Sequence, residues 1–377
     1  MLQPLSLMCL GRSGFRATVS VPAMKPELEL LLQAVLQDQS RVLLGFIRAR
    51  VCWREGTAPS DVPLISVIIP CYNQAHFLTD SIESILSQTY PHHEIVVVDD
   101  GSTDNTGEVA GRYPGVRCVS QENHGLAAAR NTGIRTSNGD YLVFLDADDR
   151  LLPHALEAGL TCLRARPECA FVFGRCRVVG IDGAPLPGWP QPRFDEDYYG
   201  SLLRGNYIWM TAMVMYRRAV FESVKAFSPQ MKGAEDYALY LQITRDFAIY
   251  FHGHEVAEYR QHHANMTSDT PLMLRSSLAA LQKQWRYVKT NPQYKEAYRV
   301  GLRFWRTHYG GRLATEISGQ IRIGQWKRAL SGIALLLRHY PGGLAEVLHD
   351  WFVLWKYVRG GPACAGETGE GGERQGG

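Results

Sequence analysis

From Leu64 onward the chain sets short apolar runs against longer amphipathic ones. LISVIIP (64–70) is a compact β-rich run, and AHFLTDSIESILSQT places Phe77, Leu78, Ile82, Ile85 and Leu86 on one helical face. HEIVVVDD (93–100) reads as a second strand, continuous enough in Ile and Val to be buried on both faces. GLAAARNTGIRTS predicts a helix, YLVFL a third strand and LLPHALEAGLTCLRA another helix; CAFVFGRCRVVG follows as a strand pair or one long strand. Strand–helix alternation of this kind predicts an α/β fold: a Rossmann-like, mostly parallel open sheet flanked by helices, with ligands beyond the carboxyl ends of the strands.

The flanks follow other periods. Leu28, Leu31, Leu32, Val35, Leu36, Val42, Leu43, Phe46 and Ile47 recur at helical intervals, so residues 26–52 predict an amphipathic helix with Pro26 in its first turn. GTAPSDVP (56–63) has linker composition, and the Pro/Gly-rich segment 181–197 breaks the alternation. From about residue 271 the pattern is purely helical, and the Gly-rich end is expected to be disordered. The expected domains are an N-terminal extension (1–62), an α/β domain (63–270), a basic helical region (271–360) and a tail (361–377).

Composition adds limits. Of 377 residues, 45% are hydrophobic and 20% charged, which excludes wholesale disorder. No run of 18 or more apolar residues occurs, so no transmembrane helix is expected. The N-terminus is a poor secretory signal, because its first basic residue follows its apolar stretch, and Met24 is an equally good start. The eight cysteines form no CxxC pair and no metal-finger spacing; they read as reduced thiols, and the expected location is cytoplasmic, with peripheral contact at the inner face of the cell membrane as a further option. Net charge is only +3, but residues 271–360 carry 15 Lys/Arg against 4 Asp/Glu, while residues 63–270 carry 17 against 25. An acidic middle and a basic end suit different partners.

The acidic middle concentrates its carboxylates at strand ends. Asp99 and Asp100 close the second strand and run into GSTDNT; there Asp100 either caps the following turn or accepts hydrogen bonds from a ligand. Asp146, Asp148 and Asp149 crowd the end of YLVFL. The EF-hand pattern is absent, and a short DxD suits Mg²⁺ or Mn²⁺ completed by water and phosphates; a solvated acidic turn is the other reading. Glu235 and Asp236 open a predicted helix, where carboxylates also stabilise the first turn. His262 and His263 are adjacent without metal-ligand spacing.

Taken in order, VIIPCYNQAHFLTDSIESILSQTY, EIVVVDDGSTDNT, ENHGLAAARNTGI, GDYLVFLDADD, EDYALYLQI and YRQHHANMTS closely resemble the family-2 glycosyltransferases, inverting enzymes of the GT-A fold, over roughly residues 64–270. The resemblance implies a base pocket from Pro70, Tyr72 and Asp100, suited to uracil, with Gly125 and Arg130 in the next nucleotide-contacting segment. It implies Asp146 near the ribose and metal, Asp148 as direct ligand of Mn²⁺ or Mg²⁺, and His262 on the metal or diphosphate. Asp236 matches the catalytic base and Glu235 stands beside it on the acceptor side. Cys71, close to that pocket, reads as a small buried residue and not a nucleophile. Two departures fall on the acceptor side: VKAFSP (224–229) replaces the usual GGF turn, and Gln242 replaces a frequent Arg.

The implied function is metal-assisted transfer of a sugar from a nucleotide-diphosphate sugar, UDP-linked, to a carbohydrate or lipid-linked acceptor in cell-surface or secreted glycan synthesis. The alternative is an inactive nucleotide- or glycan-binding module on the same fold. Nucleotidyl transfer would call for a Gly-rich loop that PCYNQAHF lacks. The segments 326–340 and 344–359 fit either a membrane-surface helix or, as helical stripes more usually do, a helical subdomain. No nucleic-acid partner is expected, since no binding motif accompanies the basic region.

Overall fold

In the computed structural model, residues 6–8, 18–20, 62–188 and 197–350 are described. The helix expected at 26–52, most of the linker, the Gly-rich tail and the segment 351–359 lie outside the described residues. A short antiparallel pair, β1 (Ser6–Met8) with β2 (Thr18–Ser20), comes first in the chain.

Eight further strands form one sheet: β3 (Ile65–Cys71), β4 (His93–Asp99), β5 (Val116–Ser120), β6 (Tyr141–Phe144), β7 (Arg150–Leu151), β8 (Cys169–Val179), β9 (Val214–Arg217) and β10 (Ala248–Arg260). Their spatial order is β5-β4-β3-β6-β9-β8-β10-β7. The pairs β5–β4, β4–β3, β3–β6 and β8–β10 are parallel. The pairs β6–β9, β9–β8 and β7–β10 are antiparallel. The α/β sheet expected from the alternation is thus present, with the first three predicted strands in its parallel half. CAFVFGRCRVVG is one long strand. β5, β7, β9 and β10 went unpredicted, since the first is a half-exposed edge and the last is interrupted by register shifts.

The helices in sequence are α1 (Ala75–Leu86), α2 (Thr106–Gly111), α3 (Leu126–Thr136), α4 (Ala155–Ala165), α5 (Tyr198–Arg204), α6 (Val220–Ser223), α7 (Glu235–Asp246), α8 (Thr270–Gln282), α9 (Trp285–Val288), α10 (Pro292–Arg322) and α11 (Trp326–His339). All seven residues of β3 are buried, as suits a strand flanked by two parallel neighbours. Gly133 of α3 allows that burial: a Cβ there would stand 2.2 Å from Cγ2 of Ile68. On α1, Phe77, Leu78, Ile82 and Ile85 face inward as expected, whereas Leu86 is exposed at the helix's last turn.

The chain divides into two compact units. The first takes residues 1–191, 208–229 and 239–260 and contains the whole eight-stranded sheet. The second takes residues 192–207, 230–238 and 261–377, with α5 and α8 to α11. Its long helix α10 buries Ala297, Trp305, Leu313 and Ile317, and Gly301 admits the backbone of Leu203, whose carbonyl oxygen would be 1.9 Å from an added Cβ.

Candidate active site

In the first unit, four strand ends and the loops beyond them hold most of the residues picked out in the sequence. Pro70 lies within β3, paired with Val98, and Tyr72 just beyond it is half exposed. The chain then turns at Asn73, the described non-glycine residue with positive φ (53°). Asn73 ties this loop to the one after β4: its Oδ1 accepts the Thr103 N–H at 2.7 Å, and its own N–H donates to Ser102 Oγ at 3.0 Å. Asp104 completes the tie by accepting the Ala75 N–H at 3.0 Å, capping α1 from outside its own sequence.

The two carboxylates at the end of β4 divide their work. Asp99 accepts the Ser102 N–H at 2.9 Å and makes the following turn. Asp100, buried, instead reaches the loop before α3: Oδ1 accepts from Gln121 Nε2 at 2.6 Å and the His124 N–H at 3.0 Å, and Oδ2 accepts the Gly125 N–H at 2.8 Å. The cap therefore serves residues 24 and 25 positions away. Asp100 and Gly125 are brought together, and Gly125 holds φ at 87°, a conformation that favours glycine.

Arg130 and Asp146 form the second meeting of expected residues. Arg130 Nη2 is 2.6 Å from Asp146 Oδ1, and the guanidinium lies 5.2 Å from the Phe227 ring centroid with Thr211 Oγ1 at 3.5 Å. Asp148 is buried at the far side of the turn, 3.3 Å from Gln74 Nε2. Asp149 turns inward: Oδ1 accepts the Arg260 N–H at 2.8 Å. Burial, then the charges of Asp148 and Asp146, push its carboxyl well above the usual range. Ser81 of α1 donates to the carbonyls of Ala147 and Asp149, each at 2.7 Å, which fastens the turn to the helix. Arg260 also pairs with Asp80 at 2.5 Å.

This turn suits a divalent cation. Three carboxylates stand within four positions, and the charges of Asp148 and Asp146 add to burial in raising the Asp149 carboxyl. Among the described residues no group of three or more His, Cys, Asp or Glu is arranged to hold a metal. A cation here would have one or two protein carboxylates, the usual number for Mg²⁺ or Mn²⁺ bound together with phosphates. Cys71 is buried, and burial pushes its thiol up to about 11, against the contact with Thr106 Oγ1 at 3.6 Å.

In the second unit, Glu235 and Asp236 open α7. Glu235 is buried and its Oε2 accepts the Gly233 N–H at 2.9 Å; Asp236 is half-buried and its Oδ1 accepts the Tyr237 N–H at 2.7 Å. Tyr237 anchors the turn, donating to the Leu202 carbonyl at 2.7 Å with Trp305 Nε1 at 3.4 Å from its hydroxyl. His262 is half-buried, and its Nδ1 accepts the Ala264 N–H at 3.2 Å; His263 is exposed. Gln242, the departure noted in the sequence, donates in the first unit to the Lys225 carbonyl at 3.0 Å, so the two departures touch each other.

Sequence reasoning missed Asn73, Gln74, Asp104, Thr211 and Phe227. Gln74 supports Asp148, and Thr211 and Phe227 support Arg130, each across a long stretch of chain that no local pattern signals, while Asn73 and Asp104 tie the loops after β3 and β4 together.

The family model described as Glycosyl transferase family 2 matches residues 66–225. The TuaG glycosyltransferase of Bacillus subtilis strain 168, named for teichuronic acid biosynthesis, is 31% identical over 204 residues, covering 52% of this chain and 79% of that protein. The chain belongs to glycosyl transferase family 2. Other members are longer: the hyaluronan synthase of Pasteurella multocida is 29% identical over 259 residues, 67% of this chain but only 25% of that one. Among solved structures, Staphylococcus aureus TarS 1–349 in complex with UDP-GlcNAc superposes with a TM-score of 0.56 at 16% identity, over 78% of this chain and 92% of that one. The mannosyltransferase PcManGT of Pyrobaculum calidifontis, with GDP-Man and Mn²⁺, gives 0.51 at 19% identity, over 88% and 98%. Both share the GT-A fold expected from the resemblance. This family-2 chain is a glycosyltransferase, an enzyme, and no helix among its described residues is long and apolar enough to cross a membrane.

Proposed function

We propose that this glycosyltransferase moves a sugar from a UDP-linked donor to a hydroxyl of a growing polysaccharide or lipid-linked glycan, with inversion at the anomeric carbon. The observation that carries the reading is the DxD turn, where Asp146 is held by Arg130 and Asp148 lies beside Gln74. Relatives named as teichuronic acid, hyaluronan and chondroitin glycosyltransferases or synthases favour a polysaccharide acceptor. The UDP-GlcNAc complex of TarS favours uracil as the base, and the Mn²⁺ of PcManGT favours a divalent ion.

In this reading Tyr72, Pro70 and the loop held by Asp100 receive the base, and Arg130 orients Asp146 toward the ribose. Mn²⁺ or Mg²⁺ bound by Asp148 would neutralise diphosphate charge and make it a better leaving group. Because Nδ1 of His262 accepts a backbone N–H, the neutral ring carries its proton on Nε2. That atom suits donation to a diphosphate oxygen better than ligation of a metal. Asp236 takes the proton of the acceptor hydroxyl as that oxygen bonds to the anomeric carbon. The bond to the diphosphate breaks in the same displacement, its electron pair leaving with the nucleotide. Glu235 braces the turn through Gly233.

The test is release of UDP from a UDP-sugar panel with Mn²⁺ and a polysaccharide acceptor, paired with thermal shift by UDP. Asp236→Asn should lower transfer by about 10²–10⁴-fold while the UDP-induced shift stays. Asp148→Ala should lose both transfer and the Mn²⁺-dependent part of the shift. Normal transfer in both variants would sink the assignment, and UDP binding without transfer in the native chain would favour the binding-module alternative.

A further inference from the structure

The C-terminal helices of the second unit carry an apolar stripe that packing among the described residues does not use. α11 buries Ala329, Gly332, Leu335 and Leu336; a Cβ on Gly332 would meet Ile317 of α10 at 2.8 Å, so this face is the interhelical seam. A second stripe lies beside it. Trp326, Leu330, Ile333 and Leu337 recur at intervals of four, three and four, on one sector of the helix. Trp326 is 58% exposed, Leu330 64% and Leu337 49%, and Ile323 before the helix is 68% exposed. An amphipathic helix in a helical subdomain needs one apolar stripe, and α11 has two.

Charge indicates what covers the second one. Lys327 and Arg338 are exposed and follow next to the stripe at the helical spacing, whereas Arg328, also exposed, lies on another sector of the helix. No acidic residue occurs between Glu316 and Glu346, and the sequence after Asp350, WFVLWKYVR, adds aromatic residues with Lys356 and Arg359. A like-charged segment of the same chain, or a second copy presenting the same basic surface, would meet repulsion here. Large apolar side chains flanked by Lys and Arg match the boundary of an anionic bilayer, where the apolar atoms enter the acyl region and the cations stay at the headgroups. We propose that the outer face of α11, centred on Trp326, Leu330 and Leu337 and rimmed by Lys327 and Arg338, docks the chain on an anionic lipid surface. The proposal concerns association alone and stands apart from the sugar-transfer chemistry.

Co-sedimentation of the full chain with vesicles tests it, using phosphatidylcholine alone and a phosphatidylcholine–phosphatidylglycerol mixture. Binding is expected to the mixed vesicles and to be at least about tenfold weaker on neutral ones, and salt should weaken it. Lys327→Glu with Arg338→Glu should weaken it by about tenfold or more, and Trp326→Ser with Leu330→Ser should abolish it. Both double variants change exposed positions, and an unaltered melting transition will show that they fold. Equal binding to neutral vesicles, undiminished binding by either folded variant, or no binding by the native chain overturns the proposal. So does concentration-dependent self-association in sedimentation velocity that the Trp326→Ser, Leu330→Ser variant removes, because the stripe would then be covered by a second copy.

Discussion

The guanidinium of Arg130, on α3, holds the carboxylate of Asp146, beyond β6, at 2.6 Å. Arg130 is buried and Asp146 keeps 30% side-chain exposure, so one oxygen is committed inside the unit while the residue still faces outward. The pair joins the loop that Asp100 organises to the turn that carries Asp148.

Removing the arginine leaves Asp146 without this partner and opens space against Phe227. Arg130→Ala should cost about 2–3 kcal/mol, at or below the low end for a fully buried pair because Asp146 retains exposure. Arg130→Lys should recover part of that and little of the activity, since a point charge cannot reproduce the planar fork. Urea unfolding with a double-mutant cycle through Asp146→Asn measures it, and a coupling energy near zero would show that the pair contributes nothing.

Gly101 sits at φ 77° in the loop after β4, where a Cβ would lie 2.8 Å from the Asn123 backbone nitrogen. Gly101→Ala should destabilise by about 1–3 kcal/mol and weaken binding of the proposed UDP-linked donor, because it pushes apart the loops that Asp100 joins. Gly107→Ala on α2, with nothing within 4 Å, should instead be stabilising by about 0.5–1 kcal/mol. Thermal melts of the two variants should therefore move in opposite directions.

Asp104 accepts from the Ala75 N–H, the Thr106 N–H and the Thr106 hydroxyl, at 3.0, 3.1 and 2.6 Å. Burial pushes its carboxyl up, but these hydrogen bonds and His76 together hold it below the usual carboxylate range. Asp104→Ala should lose about 1–2 kcal/mol at neutral pH. The contribution is present above the unfolded carboxylate pKa and is lost as pH falls through the lower folded value. The native and variant stabilities should converge in acid.

His252, on β10, faces Gly174 of β8, and its Nδ1 accepts the His254 N–H at 3.2 Å. Burial, with His254 adding, pushes its imidazole down from 6.5 to about 4. The unfolded chain therefore binds the proton more readily between those values, and stability falls as pH drops from about 6.5 towards about 4, by at most roughly 3 kcal/mol. His252→Gln, which keeps an acceptor, should flatten that limb of the stability–pH curve. An unchanged slope would show that the imidazole already titrates normally in the folded chain.

Much of the first unit is written in local pattern. Apolar runs of strand length place β3, β4 and β6 side by side, and those of β4 and β6 lead into Asp99, Asp100, Asp146 and Asp148 at the carboxyl ends, because parallel strands with crossover helices all point one way. That order, with the motifs after it, also suffices to name the family. What the pattern could not supply is which carboxylate oxygen meets which donor. In sequence, the next turn and a distant one are equally open to Asp100 as partners; the backbone N–H groups of His124 and Gly125 decide it, 24 and 25 residues on. Asp149, adjacent to the expected ligand, turns inward only because β10 brings the Arg260 N–H to it across 111 residues. The second stripe of α11 is equally invisible in sequence, where seam and surface are both apolar at helical spacing. Local side-chain chemistry sets element type and strand ends, whereas burial and partner choice depend on contacts between distant segments that form only when the chain packs.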